Sequence, residues 1–429
     1  MDVWQKPKFV VVVIPKQSDC SIVSSIQRSL RNDSPWESVV ETVDLPPFSQ
    51  KAMDFVSSLS STILKTPEAK RFPEAIALGF WLRRSNIQRI IEGFLKRRPS
   101  NSYYSSRGLA FHIAPSNVDT IFVYSWILAL LCGNRNIVRI STRQSRQMQV
   151  LLNCIDDVLA QDDHREISRR LSVIRYDSTD ELTARISKST DIRVVWGGDQ
   201  TVLTIRKIPL PPTSIDLSFA NKWSIALIDL DSWQSQSDAE KSEIARKFSL
   251  DSFQFGQAAC SSPRCVVWIN RDRSEFETDE FWKLVYKHLE DLFEFAEVDY
   301  VNKLVDSDVL AANGLVRRKH TQDNRVIRLE IDGRDIKNFI HRDEQCDAGF
   351  FLECQIDDLG VLLSQVDRKV QTISSFGISS QTWDFYMMQG NVKGLDRVVP
   401  FGKALDFDVC WDGFDLLSSF TRLISVNLE

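Results

Sequence analysis

Hydrophobic positions arrive along this chain in short runs separated by polar turns, never as one long apolar stretch. Phe9 to Ile14 (FVVVVI) is a β-branched run stopped by Pro15, the pattern of a buried strand. Residues 48–98 carry apolar positions at helical spacing and end in the basic KRRP, so this stretch is predicted mainly helical. From Leu109 the texture changes. LAFHIAP reads as a strand, SNVD as a turn able to cap a helix, TIFVYSWILALLCG as a buried helix and NRNIVRIS as the next strand. A helix near Arg146 to Ala160 follows, then the strand LSVIRY and the strand IRVVWGGD with its double-glycine turn. WSIALIDLD (Trp223 to Asp231) is another strand. After a polar helix comes FSLDSFQFGQAACSSPRCVVWIN, where Cys260 opens a small-residue turn just before the strand RCVVWIN. FWKLVYKHLEDLFEF is an amphipathic helix, and RVIRLEI and FFLECQI read as strands. Strands alternating with helices at this pitch argue for an α/β fold, a parallel sheet with helices on both faces.

Composition narrows the field. A chain of 429 residues suggests roughly two to three domains, and it buries a large core without disulfide or metal staples. At 43% hydrophobic and 26% charged it is an ordinary globular protein, which excludes wholesale disorder and a small disulfide scaffold. Lys and Arg number 53 against 58 Asp and Glu, a net charge of -5 that argues against a dominant nucleic-acid role. The eight cysteines include no CxxC pair and the five histidines no HExxH pair, so no metal site is expected and the thiols read as reduced and cytosolic. The N-terminus MDVWQKPKFVVVVIP lacks the pattern of a signal peptide, and Thr120 to Asn134 is too short for an ordinary membrane span. A cytoplasmic protein with no integral membrane segment is expected.

Four segments are suggestive of chemistry: HIAPSNVDT (112–120), VRISTR (138–143), VVWGGDQTV (194–202) and FGQAACSSPR (255–264). Singly each has a bland reading: a turn, an ordinary βα connection, an inert core cysteine. Together, in this order and spacing, they resemble the aldehyde dehydrogenase superfamily, and more closely its acyl-CoA reductase branch, which includes the reductase subunit of the bacterial luminescence fatty-acid reductase complex. The tail DRVVPFGKALDFDVCWDGFDLL (396–417) is similar to the closing segment of that branch. The likeness runs from about residue 108 to the end.

The resemblance implies roles for particular residues. Cys260 matches the nucleophile; its small neighbours Ala258, Ala259, Ser261 and Ser262 leave room for an acyl group, and a thiolate attacks thioesters well. Gln257 with Cys260 matches the Gln-x-Ala-Cys pattern of the reductase branch. Asn117 matches the amide that, with a backbone N–H, receives the developing oxyanion; its other reading is a turn or a cap on the helix at Thr120. Trp196, Gly197, Gly198 and Asp199 match the strand-turn-helix that receives a cofactor pyrophosphate, Asp199 replacing the usual hydroxyl residue. Arg139 aligns with a lysine that contacts the adenosine ribose. Ser141, Thr142 and Arg143 follow where NAD-specific relatives place a carboxylate, and a hydroxyl with guanidinium groups suits a 2′-phosphate, so NADPH is expected. At the position of the general base of hydrolytic dehydrogenases stands Leu217, with Asp216 one residue off. His112 reads as a core histidine; Trp126, Trp383 and Phe385 read as packing, and the turn at Trp411 to Gly413 as a fastening for the tail.

The expected fold is therefore aldehyde-dehydrogenase-like. A Rossmann-like cofactor domain covers 1–222, an α/β catalytic domain covers 223–395, and the segment 396–429 returns to the cofactor domain. The expected activity is NADPH-dependent reduction of a fatty acyl-CoA, or another acyl thioester such as an acyl-protein, to the aldehyde through an acyl-cysteine. Two alternatives stand beside it: a CoA-acylating short-chain aldehyde dehydrogenase, and a non-catalytic acyl-binding subunit of the same fold. An acyl-protein synthetase partner and a homo-oligomer are the associations this resemblance implies.

Overall fold

The structure, a computed structural model, describes residues 27–115, 118–143, 145–176, 180–271, 278–289, 292–342, 346–390 and 392–428. The strand expected over Phe9 to Ile14 lies outside these residues, as does Asn117.

In chain order the strands of the first half are β1 (Gln27–Arg28), β2 (Ser102–Ser106), β3 (Leu109–Ile113), β4 (Arg135–Arg139), β5 (Leu171–Arg175), β6 (Ile192–Trp196) and β7 (Ile215–Phe219). Six of them form one sheet in the order β1-β5-β4-β3-β6-β7, parallel except for the edge strand β1. The second half contributes β8 (Trp223–Asp229), β9 (Cys265–Ile269), β10 (Arg318–His320), β11 (Ile327–Glu330), β12 (Phe350–Ile356), β13 (Val370–Phe376) and β14 (Arg397–Pro400). These form a second sheet, β10-β11-β12-β9-β8-β13-β14, parallel except for β10. Helices cover both faces of each sheet, which is why every residue of β3, β5, β6, β8 and β9 is buried rather than every second one.

The buried helix expected after β3 is Ile121–Leu131, buried at every position but Ile121, and it forms the centre of the first core. Its all-round hydrophobicity reflects burial between the sheet and a helical layer, Gln50–Lys65, Pro73–Trp81 and Arg84–Leu95, supplied by the region predicted helical. The helix ends at Gly133, whose positive φ of 90° brings the chain so close to the Leu45 carbonyl that a Cβ would sit 2.1 Å from its oxygen. Among the described residues no helix is long and apolar enough to cross a membrane.

The chain departs from the sequence pattern in three places. β7 and β13 carry no apolar run, since polar residues such as Asp216 and Gln371 interrupt them, and they pair as strands because a neighbour supplies the ladder. The helix expected over FWKLVYKHLEDLFEF is Asp279–Leu289; beyond it Phe293 and Phe295 pack edge-on at 4.9 Å and join the core on one face of the second sheet. The return of the tail starts past residue 396, because Arg397–Pro400 pairs with β13 as the last strand of the second sheet. Only then does the chain cross over. Phe407, Trp411, Leu416, Leu417 and Phe420 enter the first core, and a last strand, Thr421–Ser425, pairs antiparallel with β2. Asp251, near the end of the helix Asp238–Phe253, anchors the crossing by accepting from the backbone N–H groups of Gly402 and Ala404 at 2.7 and 3.0 Å. Burial pushes its carboxyl up to about 7.

The loop between that helix and β9 carries Cys260, and one side chain fixes it. Gly256 and Gln257 are both left-handed, with φ of 59° and 65°. The fully buried Gln257 amide then makes four hydrogen bonds: it donates to the carbonyls of Pro263 (2.9 Å) and Phe350 (3.1 Å) and accepts from the N–H groups of Gly349 (2.9 Å) and Phe350 (3.2 Å). Ala348 N–H donates to Gly256 O, and Lys303 Nζ, itself buried, holds the Ala348 carbonyl at 2.7 Å. Replacing Gln257 by Ala orphans buried donors and acceptors and is expected to cost about 2–4 kcal/mol in urea unfolding; a loss below about 1 kcal/mol would remove the clamp from this account.

Candidate active site

The two sheets meet at a cleft of about 630 Å³. One wall is built by the C-terminal ends of β3, β4 and β6. In the order β5-β4-β3-β6-β7 the chain runs outward from β3 to one side and resumes at β6 on the other, so a topological switch lies between β3 and β6. The cleft opens at that switch: Pro115 follows β3, Trp196 ends β6, and Gly197 and Gly198 follow it. Gly198 caps the helix Asp199–Arg206, and a Cβ on it would meet nothing within 4 Å, so the turn offers bare backbone to the cleft. Arg139 at the end of β4, and Ser141 and Thr142 after it, line the same wall. Arg139 stacks over Tyr176 at 5.0 Å, and its buried Nε has no partner among the described residues.

Trp196 is held in place from behind. Its ring stacks on Phe219 at 3.8 Å, and its Nε1 donates to Ser125 Oγ at 3.2 Å. Ser125 Oγ lies 2.8 Å from His112 Nδ1, and His112 Nε2 lies 3.1 Å from Asn136 Oδ1. Because Asn136 Oδ1 is an acceptor, this order puts the imidazole proton on Nε2 and leaves Nδ1 to accept from Ser125. Burial lowers the histidine to about 4, so it stays neutral, a core histidine that positions a cleft residue without reaching the cleft.

Cys260 stands on the opposite wall, partly exposed, with Ala259 and Ser261 beside it in the lining. Its carbonyl accepts from Ser224 Oγ at 2.7 Å, and Arg264 N–H donates to Ser224 O at 2.9 Å, so the start of β8 grips the loop twice. Burial first, then the charge of Asp412, raises the thiol above its ordinary value; the backbone N–H of Lys222 and the cation of Arg264 act in the opposite sense. The third part of the lining is apolar. Tyr124 stacks on Phe407 at 4.3 Å, and Phe407 on Trp411 at 5.0 Å, with Ala77, Ile121 and Leu405 beside them.

Of the residues singled out in the sequence, the structure brings Cys260, Arg139, Ser141, Thr142, Trp196, Gly197 and Gly198 together around this cleft. Asn117 lies outside the described residues, although Pro115 and Val118 on either side line the cleft. Arg143 is exposed, outside the lining, with its N–H on Ser141 Oγ at 3.1 Å. Asp199 corrects an expectation: it is not in the lining. Its carboxylate accepts from Asn221 N–H at 3.1 Å and pairs with Lys369 next to the second sheet. Leu217 is buried in the first core, and Asp216 is ion-paired at 2.6 Å with the buried Arg193, so neither enters the cleft. Trp126 and Trp383 are packing residues, Phe385 is exposed, and none of the three lines the cleft. Sequence reasoning missed Asp412. It read the Trp-Asp-Gly turn as a fastening, which describes Trp411, over whose ring Arg397 lies at 4.6 Å. The acid between them faces the cleft, with Oδ1 accepting from Gln371 Nε2. An Asp-Gly pair advertises a turn and says nothing about where its carboxylate points.

The cleft has relatives. In sequence, the chain is 26% identical over 182 residues to a long-chain acyl-protein thioester reductase of Aliivibrio fischeri, covering 42% of this chain and 36% of that protein. It is 24% identical over 222 residues to long-chain acyl-protein thioester reductase 2 of Photobacterium leiognathi, covering 50% and 44%. The matches thus span less than half the length of these curated relatives. In structure, it superposes on a salicylaldehyde dehydrogenase from Pseudomonas putida G7 with a TM-score of 0.63 at 12% identity, covering 90% of this chain and 87% of that one. It also superposes on glyceraldehyde-3-phosphate dehydrogenase GapN from Methanocaldococcus jannaschii, complexed with NADP, with a TM-score of 0.60 at 12% identity, covering 91% and 94%. The fold is that of the aldehyde dehydrogenases, a Rossmann-like sheet beside a second, mostly parallel α/β sheet. A sequence profile described as acyl-CoA reductase (LuxC) matches residues 82–297, half of the chain, and the stretch contains both glycines of the β6 turn, Arg139 and Cys260: the chain belongs to the acyl-CoA reductase (LuxC) family.

Proposed function

We propose that this chain reduces a long-chain fatty acyl thioester to the aldehyde, using NADPH and an acyl-cysteine formed on Cys260. The observation that carries the reading is the meeting in one cleft of the Cys260 thiol, the bare Gly197-Gly198 turn and the apolar wall of Tyr124, Phe407 and Trp411. Cys260 Sγ attacks the acyl carbonyl and expels the donor thiol; Asn117 and a backbone N–H hold the oxyanion. When bound, the reduced nicotinamide supplies a hydride to the acyl carbon. The unpartnered Arg139 Nε and the open backbone at Gly198 fit the ribose and phosphates of such a cofactor. The hemithioacetal on Cys260 then collapses to aldehyde and thiolate.

The carboxylate that would activate water in a hydrolytic relative has no counterpart on β7, where Asp216 is tied to Arg193 and Leu217 is core. Pulling Asp216 away would leave a buried guanidinium unpaired, which is strongly unfavourable. This supports a reductase, for which hydrolysis of the acyl-enzyme is a wasteful leak. The names of the relatives support an acyl-protein as donor, and acyl-CoA offers the same thioester. We read residues 1–222 as the cofactor-binding part, 223–395 together with the strand Arg397–Pro400 as the catalytic part, and the remainder to 429 as the returning segment. The free thiols of the described cysteines support a reducing, cytoplasmic setting. Partnership with an acyl-protein synthetase and with further copies of the chain belongs to the same reading. For the latter, the ribbon of β2 and Thr421–Ser425 shows exposed Tyr103, Leu423 and Ile424.

Three measurements test these proposals. Intact mass after mixing with a long-chain acyl-CoA, without NADPH, is expected to rise by one acyl group on wild type and not on Cys260→Ala, and NADPH is expected to remove the adduct; turnover by Cys260→Ala would reject the assignment. Thr142→Asp is expected to raise KM for NADPH over that for NADH by about tenfold or more, as a carboxylate meets a 2′-phosphate; an unchanged ratio would remove Thr142 from cofactor choice. Light scattering on a size column is expected to report more than one copy, and Leu423→Glu with Ile424→Glu to reduce it to one; a monomeric wild type would end the oligomer reading.

A further inference from the structure

The acyl-transfer reading leaves a proton unaccounted for. Burial and a neighbouring negative charge hold the Cys260 thiol in its protonated form, and the strand that carries a base in hydrolytic relatives carries none here. Four described groups lining the cleft could take a proton from it: Glu74, Tyr124, Asp406 and Asp412. Glu74 belongs to the helix Pro73–Trp81 and is engaged by Gln147 Nε2 at 3.4 Å, with Asp119 nearby. Tyr124 is buried against Asp406, which raises its phenol further. Asp406 is paired with Lys403 at 2.8 Å and is largely exposed. Asp412 lines the cleft together with Cys260 and is held by Gln371 Nε2 through Oδ1.

The backbone aims this carboxylate. Asp412 and Gly413 are consecutive left-handed residues, with φ of 48° and 77°, between the short strands Cys410–Trp411 and Phe414–Asp415. A non-glycine residue adopts that conformation at some cost, and here the turn places the side chain among the cleft residues. A relay behind it fixes one oxygen. Arg397 Nε donates to Thr372 Oγ1 at 2.9 Å, Thr372 Oγ1 to Gln371 Oε1 at 3.3 Å, and Gln371 Nε2 to Asp412 Oδ1. Oδ2 has no partner among the described residues. The titratable and charged groups around it are the Cys260 thiol, the Lys222–Asp396 pair at 2.9 Å, and Arg397, which also acts on Asp406, Asp408 and Asp251; Arg264, which also acts on the thiol, is paired with Asp347 at 2.6 Å.

We propose that Asp412 is the proton-transfer group of this site, taking the Cys260 proton as the thiol attacks the acyl thioester and giving it to the departing thiolate. The inference rests on the reading of Cys260 as the acylated nucleophile. In the step, the new S–C bond forms at Cys260, the C–S bond to the donor breaks, the thiol proton passes to Oδ2 and the donor leaves as a neutral thiol; no other reactant is needed. Desolvation raises the Asp412 carboxyl to about 6, against the pull of Gln371, Lys222 and Arg397, so it is ionised and able to accept at pH 7 yet is a competent acid when protonated.

The test is the pH profile of Cys260 modification in the full chain, read as intact mass, with iodoacetamide and separately with a long-chain acyl-CoA. Cys260→Ala supplies the blank. Wild type is expected to show an inflection near 6 with both reagents. In Asp412→Asn that inflection disappears, the rate rises steadily with pH through the neutral range, and at pH 7 it is at least about tenfold below wild type; Asp412→Glu restores the inflection. An Asp412→Asn rate equal to or above wild type at pH 7 would overturn the proposal, because the carboxylate would then only oppose thiolate formation. If Asp412→Asn does not fold, Gln371→Leu serves instead: loss of the amide donor is expected to move the inflection above its wild-type position, and an unmoved inflection overturns the relay. An inflection with iodoacetamide but no acyl adduct on wild type would reject the acyl-thioester reading and leave the Asp412 assignment standing.

Discussion

A single buried amide holds the Cys260 loop of this molecule in order. Two successive left-handed residues turn the loop ahead of β9 away from any regular ladder, and their backbone would be costly to bury without partners. The Gln257 side chain supplies partners at both ends, to Pro263 within the loop and to Gly349 and Phe350 at the start of β12. The loop of Cys260 is thereby positioned by a strand that lies beside β9, not by its own helix. Everything else in the site is arranged around that fixed point: the start of β8 grips the loop through Ser224, Arg264 ties it to Asp347, and Lys303 holds the segment on which Gln257 rests. Glutamine suits the place because its amide donates and accepts at once while staying neutral in a dry site.

The two walls of the cleft obey different rules. The wall at β3, β4 and β6 is a parallel-sheet edge where the chain reverses its direction of travel, and a crevice forms there for topological reasons. Its chemistry is backbone, hydroxyl and guanidinium. The other wall is built from a loop and a tail, and its chemistry is a thiol and a desolvated carboxylate. Between them runs a set of cross-links by charge, Asp199 with Lys369 and Lys222 with Asp396. Asp199, a residue ill suited to a phosphate, is thus accounted for as a contact between the two halves.

The parallel sheets were legible because strands covered on both faces are apolar along their whole length, as in LAFHI and IRVVW, and because the segments carrying Cys260 and the double glycine stand at strand ends. β7 and β13 were not, since their polar residues interrupt any apolar run and find partners on other elements, as Asp216 does in Arg193 of β6 and Gln371 in Asp412. The site divides in the same way. Cys260, Gly197, Gly198 and Arg139 sit in local patterns. Asp412 does not: its significance depends on a tail that returns across the molecule and on a glutamine of β13, neither of which leaves a mark in the residues beside it. Asp199 stands where the local pattern put it, at the start of the helix after the double glycine, while its pairing with Lys369 left no mark in the residues beside it.

The crossing of the tail has a consequence for how the molecule comes into being. Asn134, at the turn before β4, donates to the carbonyl of Phe420 at 2.9 Å, a residue 286 positions further on, and Arg107 donates to Ser419 and Thr421. The core of the first sheet is therefore finished by side chains that follow the whole of the second sheet in the sequence. During synthesis the first half must wait, its hydrophobic groove for Leu416, Leu417 and Phe420 open to water, until the second half has been made. Contacts of such long range fold slowly and leave apolar surface exposed meanwhile. The cleft, bounded by that same tail, is the last part of the protein to exist: a nascent chain can hold a finished Cys260 loop and still have no chamber for it to work in.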